Sequence, residues 1–227
     1  MRNTERSGPA GTTPKGDPPG IILVCFAVKE EAVPFRRAVA ANDRVETLVT
    51  GMGRGNSERA LRSKLALVRP AAVYTCGFAG GLNPQLPVGR VLFETGESAL
   101  RDRLLAAGAQ PARFYCADRV ATTAAEKREL RQRTEADAVE MESQVIHAIC
   151  REQRIPCATV RAISDPASLD LPLDFNKLTR PDQSLDYGKL ALALLGSMHT
   201  LVDLLALRRN CRRAAAALSD VLIRMVR

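Results

Sequence analysis

Four short blocks of this chain set acidic or small residues directly after apolar runs, where a folded sheet gathers side chains at its strand ends. Ala27-Val28-Lys29-Glu30-Glu31 closes the first run with two carboxylates. One of them can orient a water or a sugar hydroxyl; equally, the pair can stabilise the dipole of a following helix. Gly51-Met52-Gly53-Arg54-Gly55 and Gly77-Phe78-Ala79-Gly80-Gly81 are glycine turns that let backbone approach a ligand. The first lacks the G-x-G-x-x-G spacing of a dinucleotide site. In Asp137-Ala138-Val139-Glu140-Met141-Glu142-Ser143, Glu142 stands where an extended pattern passes into a helix, next to core-spaced Val145, Ile146 and Ile149. A carboxylate so placed needs partners, and the vicinal hydroxyls of a ribose are suitable donors. Val160-Arg161-Ala162-Ile163-Ser164-Asp165-Pro166 ends an apolar run on Asp165. Taken alone, its Asp-Pro pair reads as a turn or a helix cap.

The elements that must position these groups alternate along the chain. Ile21–Val28 is continuously apolar, as a strand buried on both faces should be. Further short apolar runs cover 45–50, 71–75, 90–93, 113–116, 138–141 and 157–163. Helical patterns occupy 30–41, 57–68, 124–133 and 142–153 between them. Alternation of this kind predicts βαβ units in an α/β, three-layer α/β/α sandwich with a central mixed, mostly parallel sheet. The organisation expected is a disordered leader over 1–20, rich in Gly, Pro, Ser and Thr, a domain over 21–207, and a basic amphipathic helix over 208–227.

A length of 227 residues suffices for one such domain with a full core. The six cysteines are scattered through apolar runs without CxxC spacing, which fits buried thiols in a reducing cytoplasm. With only two histidines, neither beside a cysteine pair, no metal site is expected, nor any cofactor. No secretory signal is read at the N-terminus, and no long charge-free apolar run suggests a membrane span. The net charge of +8 is concentrated in 207–227, where six arginines face the single Asp220. No aromatic-basic interleaving accompanies it, so nucleic acid is not expected as a partner. For the C-terminal segment two readings stand. One makes Tyr187–Leu207 a helix packed on the sheet and Arg208–Arg227 a surface or dimer-contact helix. The other lays Arg208–Arg227 on an anionic membrane.

Taken in order, Gly51-Met52-Gly53, Cys76 through Leu82 with Pro87-Val88-Gly89-Arg90-Val91 behind it, Val139 through Ser143, and Val160 through Asp165 resemble the signature set of the nucleoside phosphorylase/nucleosidase superfamily. The resemblance runs from about Ile21 to Asp165 and includes its methylthioadenosine/S-adenosylhomocysteine nucleosidases. Asp118 through Thr122 with Ala125-Glu126-Lys127, and Ser164 through Ala167 with Arg180-Pro181-Asp182, look like the hopanoid-associated branch, which removes adenine from adenosylhopane. By position the resemblance implies that Asp165 is the general acid at purine N7 and that Glu31 activates water. It implies that Glu142 holds the ribose hydroxyls, with Met141 against the sugar and Val120 and Ala121 at the base. Phe78, Ala79, Gly80 and Ser164 complete the implied substrate contacts.

The function expected is hydrolysis of the N-glycosidic bond of a 5′-substituted adenosine-type nucleoside. The alternatives are a phosphate-dependent phosphorylase and a nucleoside-binding protein without turnover. No basic residue lies in the stretch Ala71–Cys76 where the superfamily's phosphorylases tend to carry an arginine, leaving Arg54 as the candidate for phosphate. Asp165 must hold a proton near neutral pH, which calls for burial and neighbouring carboxylates. The chain also departs from the pattern. The stretch 89–118 is short, Phe78 stands where a small residue is usual, and Val120 replaces an aromatic stacking partner. Homo-oligomers, dimers or larger, are the assembly the superfamily leads one to expect.

Overall fold

The computed structural model describes residues 20–178 and 198–227. The leader up to Asp17-Pro18-Pro19, the Arg180-Pro181-Asp182 motif and the stretch 187–197 of the expected terminal helix lie outside the described residues.

In chain order the elements are β1 (Ile22–Phe26), α1 (Lys29–Ala38), β2 (Val45–Val49), α2 (Arg54–Leu65), β3 (Ala72–Gly81) and β4 (Val91–Glu94). Then follow α3 (Ser98–Ala106), β5 (Gln110–Pro111), β6 (Phe114–Cys116), α4 (Ala124–Thr134), β7 (Ala138–Glu140), α5 (Ser143–Gln153) and β8 (Cys157–Asp165). Last come α6 (Phe175–Leu178) and α7 (Met198–Val226). The strands form one eight-stranded sheet in the order β2-β1-β3-β8-β4-β5, with β7 added to β3 and β6 to β7. Among the described residues only the β3–β7 and β4–β8 pairings are antiparallel. The expected three-layer sandwich around a mixed, mostly parallel sheet is therefore what the chain forms.

Why β1 reads as unbroken apolar sequence is visible in its alternation. Val24 and Phe26 face one layer with Ala32 and Phe35 of α1, Leu100 and Leu104 of α3, and the C-terminal helix. Leu23 and Cys25 face the other layer with Leu61 of α2 and Ile146 and Ile149 of α5. A strand covered on both sides has no polar face to show.

Helix α7 corrects the expected division at 207/208. One helix of 29 residues crosses that boundary, and its C-terminal half is core rather than surface. Ala214, Leu218, Val221, Leu222 and Met225 recur at the spacing of one helical stripe and are buried with strands β3, β4 and β8. Arg208, Arg209, Arg212 and Arg213 occupy the opposite, exposed side. The arginines made the segment look like a surface helix because six of them are interspersed with the five stripe residues that do the packing. Arg224 also serves the fold, donating from Nε to the carbonyl of Ala107 that ends α3, at 2.8 Å. The apolar stripe that would have met a membrane is thus spent on the core. No helix among the described residues is long and apolar enough to cross one.

Candidate active site

The site arises from a fork in β3. Its first half, Ala72–Cys76, pairs with β1, and its last residues, Gly80 and Gly81, pair with β7. On that edge Gly77, Phe78 and Ala79 have no strand partner, while β8 runs along the other edge throughout. Glu31 enters the gap from the first turn of α1. Its Oε1 accepts the Phe78 N–H at 2.8 Å, and its Oε2 accepts those of Ala27 and Val28 at 3.0 and 3.1 Å. A carboxylate has about four lone-pair sites, so three bonds leave one on Oε1. The side chain is buried, and burial pushes its pKa up to about 7 against the lowering pull of Arg161. Glu30, one residue earlier, is exposed. Gly77 is required here: a Cβ would lie 2.6 Å from Arg161 Nη1 and 2.7 Å from Glu31 Oε1, at a φ of +154°.

Of the two expected glycine turns, Gly77–Gly81 is instead the end of strand β3, and Gly51–Gly53 is a turn with an unexpected duty. Gly51 and Gly53 take φ values of +85° and +77°, and the Gly53 N–H points at Glu142 Oε1, 2.9 Å away. The turn therefore holds a carboxylate rather than a phosphate. Glu142 Oε2 accepts from Arg161 Nη2 at 3.2 Å. Burial raises the Glu142 pKa, with Arg161 opposing and Glu140 adding to the rise.

Arg161 and Glu140 are the groups that reading the sequence did not single out. Arg161 is 1% exposed in the middle of β8, donating from Nη2 to Glu140 Oε2 at 2.6 Å and to Thr75 Oγ1 at 3.2 Å. Glu140 also takes the N–H groups of Glu142 and Ser143 and the Ser143 hydroxyl, so it fastens the start of α5. Against the effect of burial, Arg161 and these donors hold Glu140 below the usual carboxylate range. An arginine set between Val160 and Ala162-Ile163 in a strand buried along its whole length was the available signal, because such a cation must meet carboxylates somewhere.

Asp165 ends β8. Its Oδ1 receives the Ser164 hydroxyl at 2.7 Å, and its Oδ2 pairs with Lys127 Nζ at 2.6 Å. Its immediate partners are a hydroxyl and a cation, where the sequence led one to expect carboxylates. Gly80 leaves the room, for a Cβ there would come within 3.2 Å of Asp165 Oδ2.

These groups line one cavity of about 220 Å³. Glu31, Glu142, Ser164 and Asp165 form its polar side, and Phe78, Gly80, Val120, Ala121 and Met141 its apolar side. Nine of the ten residues singled out from the sequence for catalysis or binding, together with Glu140, thus meet around it. Ala79 is the exception: its side chain packs with Leu86, Leu92, Ala138 and Ile163 on the other side of β3. Only its carbonyl faces Ser164, whose hydroxyl donates to it at 3.4 Å. Adjacent residues of a strand point to opposite faces, so Phe78 and Ala79 could not both reach the cavity. Arg54 also stands apart. It is engaged with Gln144 at 2.8 Å and Asp118 at 3.4 Å near the surface, outside the cavity lining. Asn176 holds the Val120 segment from α6, accepting the Val120 N–H at 2.9 Å and donating to its carbonyl at 3.0 Å. Among the described residues no cluster of metal-ligating side chains occurs.

Residues 97–195 match the family model of the phosphorylase superfamily. No curated protein matches the chain. Among solved structures, the chain is similar to 5′-methylthioadenosine/S-adenosylhomocysteine nucleosidase of Campylobacter jejuni, with a TM-score of 0.67 and 17% identity, covering 91% of this chain and 98% of that one. It is similar to native futalosine hydrolase of Helicobacter pylori, with a TM-score of 0.69 and 15% identity over 92% and 97% of the two chains. The methylthioadenosine/S-adenosylhomocysteine nucleosidase of Neisseria meningitidis in complex with methylthio-immucillin-A gives 0.68 and 19%, over 91% and 98%. At such identities the fold is what is shared. The family match and the fold together bear out the resemblance to the nucleoside phosphorylase/nucleosidase superfamily.

Proposed function

We propose that this chain is a purine nucleosidase that hydrolyses the N-glycosidic bond of a 5′-substituted adenosine-type nucleoside. The observation that carries the reading is the ring of three buried carboxylates, Asp165, Glu142 and Glu31, around a single cavity. Cleaving C1′–N9 sends an electron pair to the purine and leaves a cationic, oxocarbenium-like sugar. Asp165 is the group at the base that delivers a proton to N7, so that the purine departs neutral. Glu142 accepts the ribose 2′ and 3′ hydroxyls on the lone pairs that Gly53 and Arg161 leave free. Glu31 takes a proton from water through its remaining Oε1 site as the oxygen bonds to C1′.

Hydrolysis is favoured over phosphorolysis by charge. Arg161 is surrounded by Glu140, Glu142 and Glu31, and Arg54 is bound elsewhere. A phosphate dianion placed beside Glu31 would meet its repulsion, and Arg119, a cation in the cavity lining, is paired with Glu126. The activities named for the similar solved structures support this choice, as does the small cavity, whose apolar wall suits a purine. The 5′ substituent ranges from a methylthio group to the lipid tail of an adenosylhopane-like substrate.

The test is release of adenine from methylthioadenosine, measured with and without phosphate, for the natural chain and for Asp165→Asn. Phosphate-independent release with a free pentose as product is expected, and Asp165→Asn should lower it by about 10²–10⁴-fold, the usual contribution of an acid. A strict phosphate requirement would make the chain a phosphorylase. Binding of the nucleoside without turnover would make it a binding protein, and full activity in Asp165→Asn would remove that residue from the mechanism.

A further inference from the structure

We infer that Lys127 is the proton source behind Asp165, a positioning residue that loads the acid from the side away from the base. The inference rests on the nucleosidase reading above and deepens it. Lys127 is fully buried, yet it lies in α4 among charged residues that are mostly exposed. Its Nζ meets three acceptors: Asp165 Oδ2 at 2.6 Å, the Leu169 carbonyl at 2.9 Å and the Pro166 carbonyl at 3.1 Å. Three acceptors match the three N–H groups of an ammonium, whereas an amine has two donors and a lone pair that would face an oxygen. A buried cation with one carboxylate partner, aimed at the atom that must deliver a proton, is an unusual expense for a merely structural tie.

The surrounding chain fixes this geometry. Thr123 caps α4 by accepting the Glu126 N–H at 3.1 Å. The loop after Asp165 is stitched to the same helix start by Ala124 N–H to Asp170 at 2.6 Å and Leu171 N–H to the Thr122 carbonyl at 2.7 Å. Lys127 therefore cannot swing away without opening that loop. Gly80 lies against both partners, its missing Cβ leaving the space in which they meet.

The step balances as follows. As the C1′–N9 bond breaks and its electrons pass to the purine, one proton moves from Lys127 Nζ to Asp165 and one from Asp165 to N7. Lys127 becomes a neutral amine, Asp165 ends as the carboxylate it began as, and the base leaves neutral. Water gives its oxygen to C1′ and a proton to Glu31. Solvent then reprotonates Lys127 and takes up the proton of Glu31.

The test compares two substrates in one protein sample: methylthioadenosine, whose base needs a proton, and 4-nitrophenyl β-riboside, whose leaving group departs as the anion. The ratio of their kcat values does not depend on the fraction of molecules that are folded. Lys127→Met removes the proton. Lys127→Arg keeps the charge but holds its proton too tightly to give it up. In either variant the ratio should fall about 10²–10⁴-fold, as it should in Asp165→Asn, with KM for methylthioadenosine little changed. Two variants guard against one failing to fold, and the ratio is read in whichever does. An equal loss on both substrates would reduce Lys127 to a structural tie and overturn the inference. So would a ratio unchanged in the Lys127 variants but collapsed in Asp165→Asn, which leaves the nucleosidase reading intact. Failure of that reading would show separately, as no adenine release by the natural chain.

Discussion

Glu31 illustrates how little of a residue's chemistry depends on its type alone. Three backbone N–H groups hold its carboxylate in the gap of β3, while removal from water raises its pKa to about 7. Were it exposed it would be ionised and weakly basic at neutral pH. As placed, it gains a proton-accepting range near 7, suited to taking a proton from water. Activity must then rise with pH as Glu31 loses its proton, so kcat/KM should climb through about pH 7. Glu31→Gln should abolish that limb together with most of the activity. A profile flat from pH 5.5 to 8.5 in the natural chain would show that Glu31 is not the base. Stability runs the other way. Between the ordinary carboxylate pKa and 7 the native state keeps a proton that the unfolded chain has lost, so this group costs stability as pH rises through that window. The same buried network explains what the sequence made legible. Asp165, Glu142 and Glu31 stand out because each carboxylate follows an apolar run. Lys127 does not, since it lies within Ala124–Thr134, where charged residues are common, and its burial comes from a loop some forty residues later.

Among the elements, β3 decides the site because it changes neighbours along its length. Five residues pair with β1 and two with β7, and the unpaired three between them expose the Phe78 N–H to Glu31. The break needs Gly77, whose position no side chain can share with Arg161 and Glu31. Gly77→Ala would therefore push the Arg161 guanidinium and the Glu31 carboxyl apart, in a backbone conformation that already disfavours alanine. A loss of at least about 2 kcal/mol in urea unfolding is expected, from the strain and from disturbing buried charges. Activity should fall further than that stability change accounts for. Wild-type stability in Gly77→Ala would mean the fork tolerates a side chain. Elements that are buried on both faces were legible from their apolar runs, unbroken in β1 and interrupted in β8 only by Thr159 and Arg161 before the terminal Ser164-Asp165. Helix α3 and strand β5 were not. The helix buries chiefly Leu100 and Leu104, and the strand is two exposed residues, so neither carries a periodic signal.

For the molecule as a whole, the basic C-terminus turns out to be the lid of a core rather than an appendage. Counting charges across 208–227 concealed the stripe of Ala214, Leu218, Val221, Leu222 and Met225, because alanine and arginine dominate the composition. Once the stripe is packed on β3, β4 and β8, the arginines are left on the outside, and the net charge of +8 reflects what that helix shows to solvent. A chain ending at Leu207 would uncover the part of this sheet face that α7 covers beside α1 and α3. Each buried leucine replaced by alanine in a packed core costs about 2–5 kcal/mol, and the truncation removes two leucines, a valine and a methionine together. The total matches or exceeds the roughly 5–15 kcal/mol by which a domain of this kind is stable. The truncated chain should give no cooperative thermal transition by circular dichroism, nor any adenine release. A cooperative transition in that chain would show that residues 208–227 are an added segment, as their charge alone suggests.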